Sequence, residues 1–485
     1  MALSMGTNGV RALFDELDAS AAMDLGFGFA QFVKNQDGTK KSALSLPSVV
    51  LARDMRLTSP CLFQAAAAGL MEGGVDVQDC GIITAPAAEW VAHSLHADGL
   101  IIVTASHNPP EWNALKFVDG AGLAVSRERG APIAAFVHKP HTPLLQWQQL
   151  GKMHKIPDAI PSYQKAVLSF INRRLLQANG SKLKVIADPG NGTSTLTAPA
   201  IFKALGVKAK FLHAELDGRF PNRLSEPAQA NVGVLIETVS KQGADFGVAW
   251  DGDADRVTFV DDNGRWLTGD IGVALSVRWA LLKGGYPKLT GAKSNFRPPA
   301  KTKRPIVVTT SATSRVVEAV ALEHGAQVEY TDIGAPYLSE AMASLGPRVI
   351  SGGEEVGGIV WPKFTLAKDG VLASLKLLEM ICQKPLSEWV DELPKYSICK
   401  LKVECPAGVN VKIAAAVQQE LGAGKPYGSI LRPLRGGFRL DLEEGWVLVR
   451  ASGTENYVRI FAEGKNEEEA KALAEKYASA VRKQL

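Results

Sequence analysis

Gly99-Leu100-Ile101-Ile102-Val103-Thr104-Ala105-Ser106-His107-Asn108-Pro109-Pro110 carries an apolar run straight into a polar loop stiffened by two prolines. Leu100 to Val103 are apolar without alternation, the pattern of a strand covered on both faces in a parallel sheet. The prolines cannot continue a helix beneath Ser106, so the stretch predicts an extended loop that holds the serine hydroxyl out in the open. Ligands of open α/β sheets sit beyond the carboxyl ends of strands, and Ser106 occupies such an end.

Working outward, the same order of elements recurs three times. In the first copy a strand over Ser48 to Ala52 precedes helices over Pro60 to Met71 and Pro86 to Leu95, and the strand from Gly99 to Ala105 closes it. The second runs from a strand over Leu183 to Ala187, through helices near Pro199 to Leu205 and Val234 to Lys241, to a strand over Phe246 to Trp250. The third has strands at Ile306 to Val308, Gln327 to Tyr330 and Val349 to Ile350, with helices over Ser314 to His324 and Pro336 to Leu345. Strands separated by helical stretches imply crossovers and hence parallel sheets. From about Lys400 the rhythm changes to strands at Phe438 to Leu442, Trp446 to Val449 and Tyr457 to Ala462, and a charged helix from Glu467 to Arg482. The expected fold is therefore three similar parallel-sheet α/β domains (1–157, 158–262 and 263–390) plus a smaller C-terminal α+β domain (391–485), with divisions at polar or proline-containing connections. A length of 485 residues fits about three or four domains.

Composition narrows the class of protein. Lys and Arg total 54 against 50 Asp and Glu, a net charge of +4 that gives no global attraction to nucleic acid or to an anionic membrane. The five cysteines, Cys61, Cys80, Cys382, Cys399 and Cys405, include no C-x-x-C pair, which argues against a disulfide framework or a zinc site and for a reducing cytoplasm. No leader pattern and no apolar stretch of membrane-spanning length is present, so the expectation is a soluble, cytoplasmic chain. Lys283 to Arg304 is rich in Gly, Pro, Lys and Arg without one acid; it reads as a solvated insertion before it reads as a polyanion contact.

Three further polar stretches carry chemistry. Asp251, Asp253 and Asp255 alternate in a short run, so three hard oxygen ligands converge on one cation. An EF-hand would need Gly where Arg256 stands, Glu where Asp262 stands, and helices where the flanks read as strands. Arg450-Ala451-Ser452-Gly453-Thr454-Glu455-Asn456, followed by Arg459, holds the parts of a phosphate cradle, and alone it also reads as a simple turn. Gly352-Gly353-Glu354-Glu355-Val356-Gly357-Gly358 sets two carboxylates among four glycines that allow a ligand to approach; a flexible charged loop is an equal reading. Arg11, Arg53, Asp54 and Arg56 lie in polar loops of the first domain, and Lys116, ten residues after Ser106, can return to the same pocket; each by itself reads first as a surface or structural ion-pair residue. A Ser-His hydrolase on Ser106 and His107 is disfavoured: G-x-S-x-G is missing, and neighbours in an extended segment point to opposite sides.

Taken together these loops resemble those of the α-D-phosphohexomutase superfamily, in particular its phosphoglucomutase/phosphomannomutase members, along essentially the whole chain and in the family's order. The resemblance implies that Ser106 is the phosphorylated residue and that Asp251, Asp253 and Asp255 bind Mg²⁺ together with its phosphate. It implies that Arg256 and Lys116 stabilise the transferring group, with Arg11, His107 and Lys116 as candidate proton acceptors. Gly353, Glu354 and Glu355 would read the sugar; Arg450, Ser452, Gly453, Thr454 and Arg459 would hold the phosphate that is not reacting. The implied reaction moves a phosphoryl group between C1 and C6 of a hexose phosphate, with hexose 1,6-bisphosphate as intermediate and activator. Departures fall at Val356 and Gly358, where Ser and His are frequent, at Ala451 and Asn456, where Pro is common, and at Ala12, where Gly is usual. Glucose and mannose phosphates are the expected substrates. Phosphoglucosamine mutase is the second reading, a non-catalytic sugar-phosphate sensor the reading from another class, and a metal phosphatase is conceivable. Monomer and homo-oligomer stay equally open.

Overall fold

The structure, a computed structural model that describes residues 3–36, 46–139, 145–286, 288, 304–423, 429–452 and 456–485, contains four sheets in chain order. The first has β1 (Val10–Leu13), β2 (Ser48–Arg53), β3 (Asp76–Ile82), β4 (Gly99–Val103), β5 (Trp112–Asp119) and β6 (Met153–Lys155) in the order β1-β5-β4-β2-β3-β6. The second has β7 (Lys184–Asp188), β8 (Lys208–Phe211), β9 (Phe246–Trp250), β10 (Val257–Val260) and β11 (Trp266–Leu267) in the order β11-β10-β9-β7-β8. The third has β12 (Ile306–Thr310), β13 (Gln327–Thr331), β14 (Val349–Glu354) and β15 (Gly358–Val360) in the order β13-β12-β14-β15. The fourth is wholly antiparallel: β16 (Ser397–Glu404), β17 (Ile430–Leu434), β18 (Gly437–Asp441), β19 (Trp446–Ala451) and β20 (Tyr457–Gly464), ordered β16-β20-β19-β18-β17.

The three α/β domains are thus present, but their sheets are mixed rather than purely parallel. β2, β3, β4 and β6 run parallel, as do β7, β8 and β9, and β12, β13 and β14. In each sheet the strand that ends in a polar loop is followed by an antiparallel partner: β5 beside β4, β10 beside β9, β15 beside β14. The reason is length. A parallel return needs a crossover of a dozen or more residues, and the polar loops are shorter than that. β11 also carries the second sheet past residue 262, so that expected division falls inside the β10–β11 hairpin. The following helix, Gly269–Lys283, packs on β14 and on the helix Arg315–Glu323 of the third domain.

One apolar core runs unbroken through the first three domains, taking in Ile102, Trp250 and Val273. The fourth domain has its own, around Phe438, Val449 and Ile460. The two are joined where Ala312 meets Trp446 and Leu448. Arg439, fully buried, fastens that seam: it donates to the carbonyls of Ser311 and Thr313, both at 3.0 Å, and lies over the rings of Trp446 and Tyr330. All five cysteines are free thiols, and no described helix is long and apolar enough to cross a membrane. Gly453, Thr454 and most of the basic segment between Lys283 and Arg304 lie outside the described residues.

Candidate active site

The serine loop joins β4 to β5. Its shape is imposed by Arg56, a fully buried guanidinium that donates to the carbonyls of Ser106 (3.0 Å), Asn108 (2.7 Å), Pro109 (2.5 Å) and Trp112 (3.0 Å). Asp54 orients it through Nε at 3.0 Å. One side chain therefore satisfies four carbonyls that the prolines and the tight path leave without partners. Ser106 adopts φ +53°, a left-handed conformation uncommon for serine.

Two expectations change here. The Ser106 hydroxyl is not held in the open: the residue is 2% exposed, and Oγ donates to Asp251 Oδ2 at 2.5 Å. Nor does His107 point away, because the left-handed turn at Ser106 breaks the extended path and brings His107 Nδ1 to 3.4 Å from Oγ. Burial, then Arg256 and Arg11, push the histidine far below its ordinary range, so the ring is neutral.

The metal-type loop joins β9 to β10 and comes from the second domain. The ligand oxygens of Asp251, Asp253 and Asp255 lie within 4.8 Å of one another, and all three residues are buried. Burial and the two neighbouring carboxylates raise Asp251 well above the usual carboxylate range. Burial acts the same way on Asp255, but Lys116, Lys368 and Arg256 outweigh it and hold that group down. Lys116 reaches over from β5 to Asp253 at 2.7 Å and Asp255 at 3.1 Å. Asp253 Oδ1 and Asp255 Oδ1 are buried with no hydrogen-bond partner. Hard carboxylate oxygens left bare in a buried turn fit a divalent cation of the Mg²⁺ type. Arg256 leaves the loop to meet both oxygens of Glu226, at 3.0 and 2.9 Å, and Arg11 reaches Asn108 of the serine loop at 2.5 Å.

The third loop is the turn between β14 and β15. Glu354, at the end of β14, accepts from Lys368 Nζ at 3.2 Å, and the same ammonium lies 3.3 Å from Asp255. Glu355 instead accepts from Thr310 Oγ1 at 3.1 Å, and burial followed by Glu354 raises its carboxyl. The glycines do not open the loop to a ligand, as the sequence reading expected. Gly352 and Gly353 lie within β14, where a Cβ would meet the carbonyls of Val308 and Gly358; at Gly357 it would meet Val257 and at Gly358 the Lys368 side chain. They admit neighbouring backbone and a lysine stem.

The fourth loop joins β19 to β20. Arg450 and Arg459 are direct cross-strand partners at its root, so two guanidinium groups share one face. Arg450 is lowered by burial, with Asp332, Arg459 and Glu355 as its charged neighbours, and Arg459 Nε has no partner. Ser452 is buried, its amide donating to the Tyr457 carbonyl and its own carbonyl accepting from Asn410. Paired arginines with donors to spare suit an anion. This group shares no direct bond with the serine cluster among the described residues; Glu355 faces it from the third loop. Arg435 completes the circuit, pairing with Glu128 of the first domain and Asp332 of the third.

Ser106, His107, Lys116, Arg11, Asp251, Asp253, Asp255, Arg256 and, through Lys368, Glu354 form one cluster. Sequence reading missed Lys368, Glu226 and the clamp made by Arg56. It also missed Glu89, on the helix Ala85–Ser94, whose carboxyl burial pushes up to about 8 within reach of the fields of Lys116 and Asp255. None carries a local motif.

Comparisons with known proteins agree with this architecture. Phosphoglucomutase/phosphomannomutase alpha/beta/alpha domains I, II and III match residues 2–143, 161–264 and 292–396, and the C-terminal domain of the same family matches 401–480. A phosphoglucomutase/phosphomannomutase of Thermococcus kodakarensis is 34% identical, covering 97% of this chain and 96% of its own. A probable phosphoglucosamine mutase of Methanothermobacter thermautotrophicus is 33% identical over 88% of each. Among solved structures, a phosphoglucomutase/phosphomannomutase family protein of Burkholderia thailandensis superposes with a TM-score of 0.80 at 23% identity, over 99% of this chain and 97% of that one.

Proposed function

The chain belongs to the phosphoglucomutase/phosphomannomutase family of α-D-phosphohexomutases, and from that premise we propose that it interconverts the 1- and 6-phosphates of glucose and mannose through phosphorylated Ser106. The observation that carries this reading is the 2.5 Å contact between Ser106 Oγ and Asp251, made across two domains and ringed by Lys116, Arg256 and Arg11. Phosphoryl transfer needs positioning and charge neutralisation above all, and these groups supply both.

A sugar hydroxyl attacks the phosphorus on Ser106 while the Oγ–P bond breaks. Lys116 and Arg256 balance the charge that builds on the phosphoryl oxygens. Of the three candidate proton acceptors, burial, outweighed by Asp253 and Asp255, leaves Lys116 raised, and Arg11, lowered to about 10, is still a cation near neutrality. His107, held far below its ordinary range, is a weak base as well, and the proton that the sugar hydroxyl gives up is taken up in net by the departing Ser106 Oγ. Bound at Asp251, Asp253 and Asp255, Mg²⁺ supplies further positive charge to the phosphate. Glu354 and Glu355 accept from sugar hydroxyls, while Arg450, Ser452 and Arg459, with Gly453 and Thr454, hold the idle phosphate. The bisphosphate formed then turns over and returns its other phosphate to Ser106, so hexose 1,6-bisphosphate also primes the resting protein. A reducing cytoplasm is the compartment we assign, in keeping with the five free thiols.

Incubation with glucose 1,6-bisphosphate followed by mass measurement tests the core of this. The parent chain gains one phosphate, Ser106→Ala gains none, and the variant loses turnover by about 10³-fold or more with sugar-phosphate binding kept. Full turnover in Ser106→Ala overturns the assignment, and a parent chain that stays unphosphorylated favours a sugar-phosphate sensor. The 33% identical relative is named a probable phosphoglucosamine mutase, which supports glucosamine phosphate as the second reading. Turnover of glucose 1-, mannose 1- and glucosamine 1-phosphate under one condition ranks the three.

A further inference from the structure

At the starts of β12 and β14, the end of the third sheet opposite its polar loop, lies a cavity of about 510 Å³. It is within the range of small-molecule sites, and it is separate from every loop described above. Four cations line it: Lys283, Arg348, Lys363 and Lys376. Among the described residues no Asp or Glu lines it, and Lys283, Arg348 and Lys363 make no ion pair. Lys376 is engaged by Glu379 and by the Phe170 carbonyl, both at 3.1 Å, whereas Arg348 spends one nitrogen on Gln327 at 2.9 Å and its Nε has no partner. A concave surface with one sign of charge and few counter-charges concentrates anions.

The other lining side chains are mostly apolar. Phe170, Tyr286 and Trp361 contribute rings, and Lys376 Nζ sits 4.8 Å from the Phe170 ring centre and 5.7 Å from that of Trp361. Trp361 is 6% exposed, and its indole N–H is buried without an acceptor. An orphaned donor of this kind lowers stability unless something accepts from it. Cations for phosphates, ring faces for a planar group and a spare donor are the complement of one ligand class. We propose that this cavity binds a nucleoside di- or triphosphate, its phosphates on Lys283, Lys363 and Arg348 and its base along the aromatic wall.

The proposal stands apart from the mutase reading, and its test does not depend on turnover. Calorimetric titration of the full chain with ADP at low ionic strength is expected to show one site. The double variant Arg348→Ser/Lys363→Ser should weaken it at least 10-fold with hexose-phosphate turnover unchanged, and Trp361→Phe should weaken it without loss of thermal stability. Arg450→Ala is expected to leave ADP binding intact. Absence of ADP binding to the parent chain overturns the proposal. So does binding that Arg450→Ala removes and the double variant does not, because the nucleotide is then in the phosphate loop. Equal affinity for pyrophosphate overturns the nucleoside part, since the aromatic wall would contribute nothing.

Discussion

Glu226 holds two of the groups that face Ser106: its carboxylate takes both hydrogen bonds of Arg256 and lies 3.7 Å from His107 Nε2. Glu226→Gln keeps the size and removes the charge, so Arg256 loses its anchor and His107 its neighbour. We expect kcat to fall by about 10- to 100-fold, the effect of a misplacement near 1 Å, with KM changed far less. Steady-state kinetics check this, and an unchanged kcat refutes the positioning role. The contrast with the aspartates explains what sequence could supply. Asp251, Asp253 and Asp255 advertise themselves because alternate residues of one tight turn converge on a point. Glu226, Lys368 and Arg56 act through partners that only the packing of sheets brings near, and a charged residue looks the same in a string whether it meets four carbonyls or water. His107 was misread for a related reason: a positive φ at Ser106 is a property of the closed loop, set by the Arg56 clamp and invisible in local propensity.

At the scale of elements, each of the four loops is the tip of an antiparallel hairpin: β4–β5, β9–β10, β14–β15 and β19–β20. The first two tips meet closely. At Gly252 a Cβ would lie 2.8 Å from the Ser106 carbonyl and 2.8 Å from Ser225 Oγ. Gly252→Ala should therefore push the serine and aspartate loops apart, lowering stability by about 1–3 kcal/mol and turnover with it. Melting temperature and kcat measured together test this, and a variant matching the parent in both refutes the close approach. The strands that lead into the tips were legible. β4 and β9 are uninterrupted apolar runs, and β9 has the bounds read from sequence. The returning strand β5 was not, because Asn113 and Lys116 interrupt it and its partner is chosen by the hairpin rather than by its own pattern. The helix Ala19–Lys34 escaped notice as well: ten of its residues are buried, so it carries no clean polar face to mark its period.

For the molecule as a whole, four charged contacts make a ring: Lys116 joins domains one and two, Lys368 two and three, Arg439 three and four, and Arg435 four and one. Asp270, at the start of the helix Gly269–Lys283, sits where the later domains meet, accepting from the Ser314 amide at 2.8 Å. Burial, with Glu355 and Glu463 nearby, pushes its carboxyl from the ordinary 3.8 up to about 7. Between those values the folded chain keeps a proton that the unfolded chain releases, so its contribution is full below about pH 4 and is lost as pH rises through 7. Asp270→Asn cannot ionise. Its stability relative to the parent should rise from pH 5 to pH 7 by on the order of 2 kcal/mol and level off above. Urea unfolding at a series of pH values reads this directly, and a pH-independent difference refutes it. The hairpin tips have a consequence for ancestry. A tip can be swapped, lengthened or recoloured with new side chains while the strands beneath keep their register, so each of the four loops is heritable on its own. A change confined to one tip thus leaves the other hairpins, and the sheets they stand on, in place.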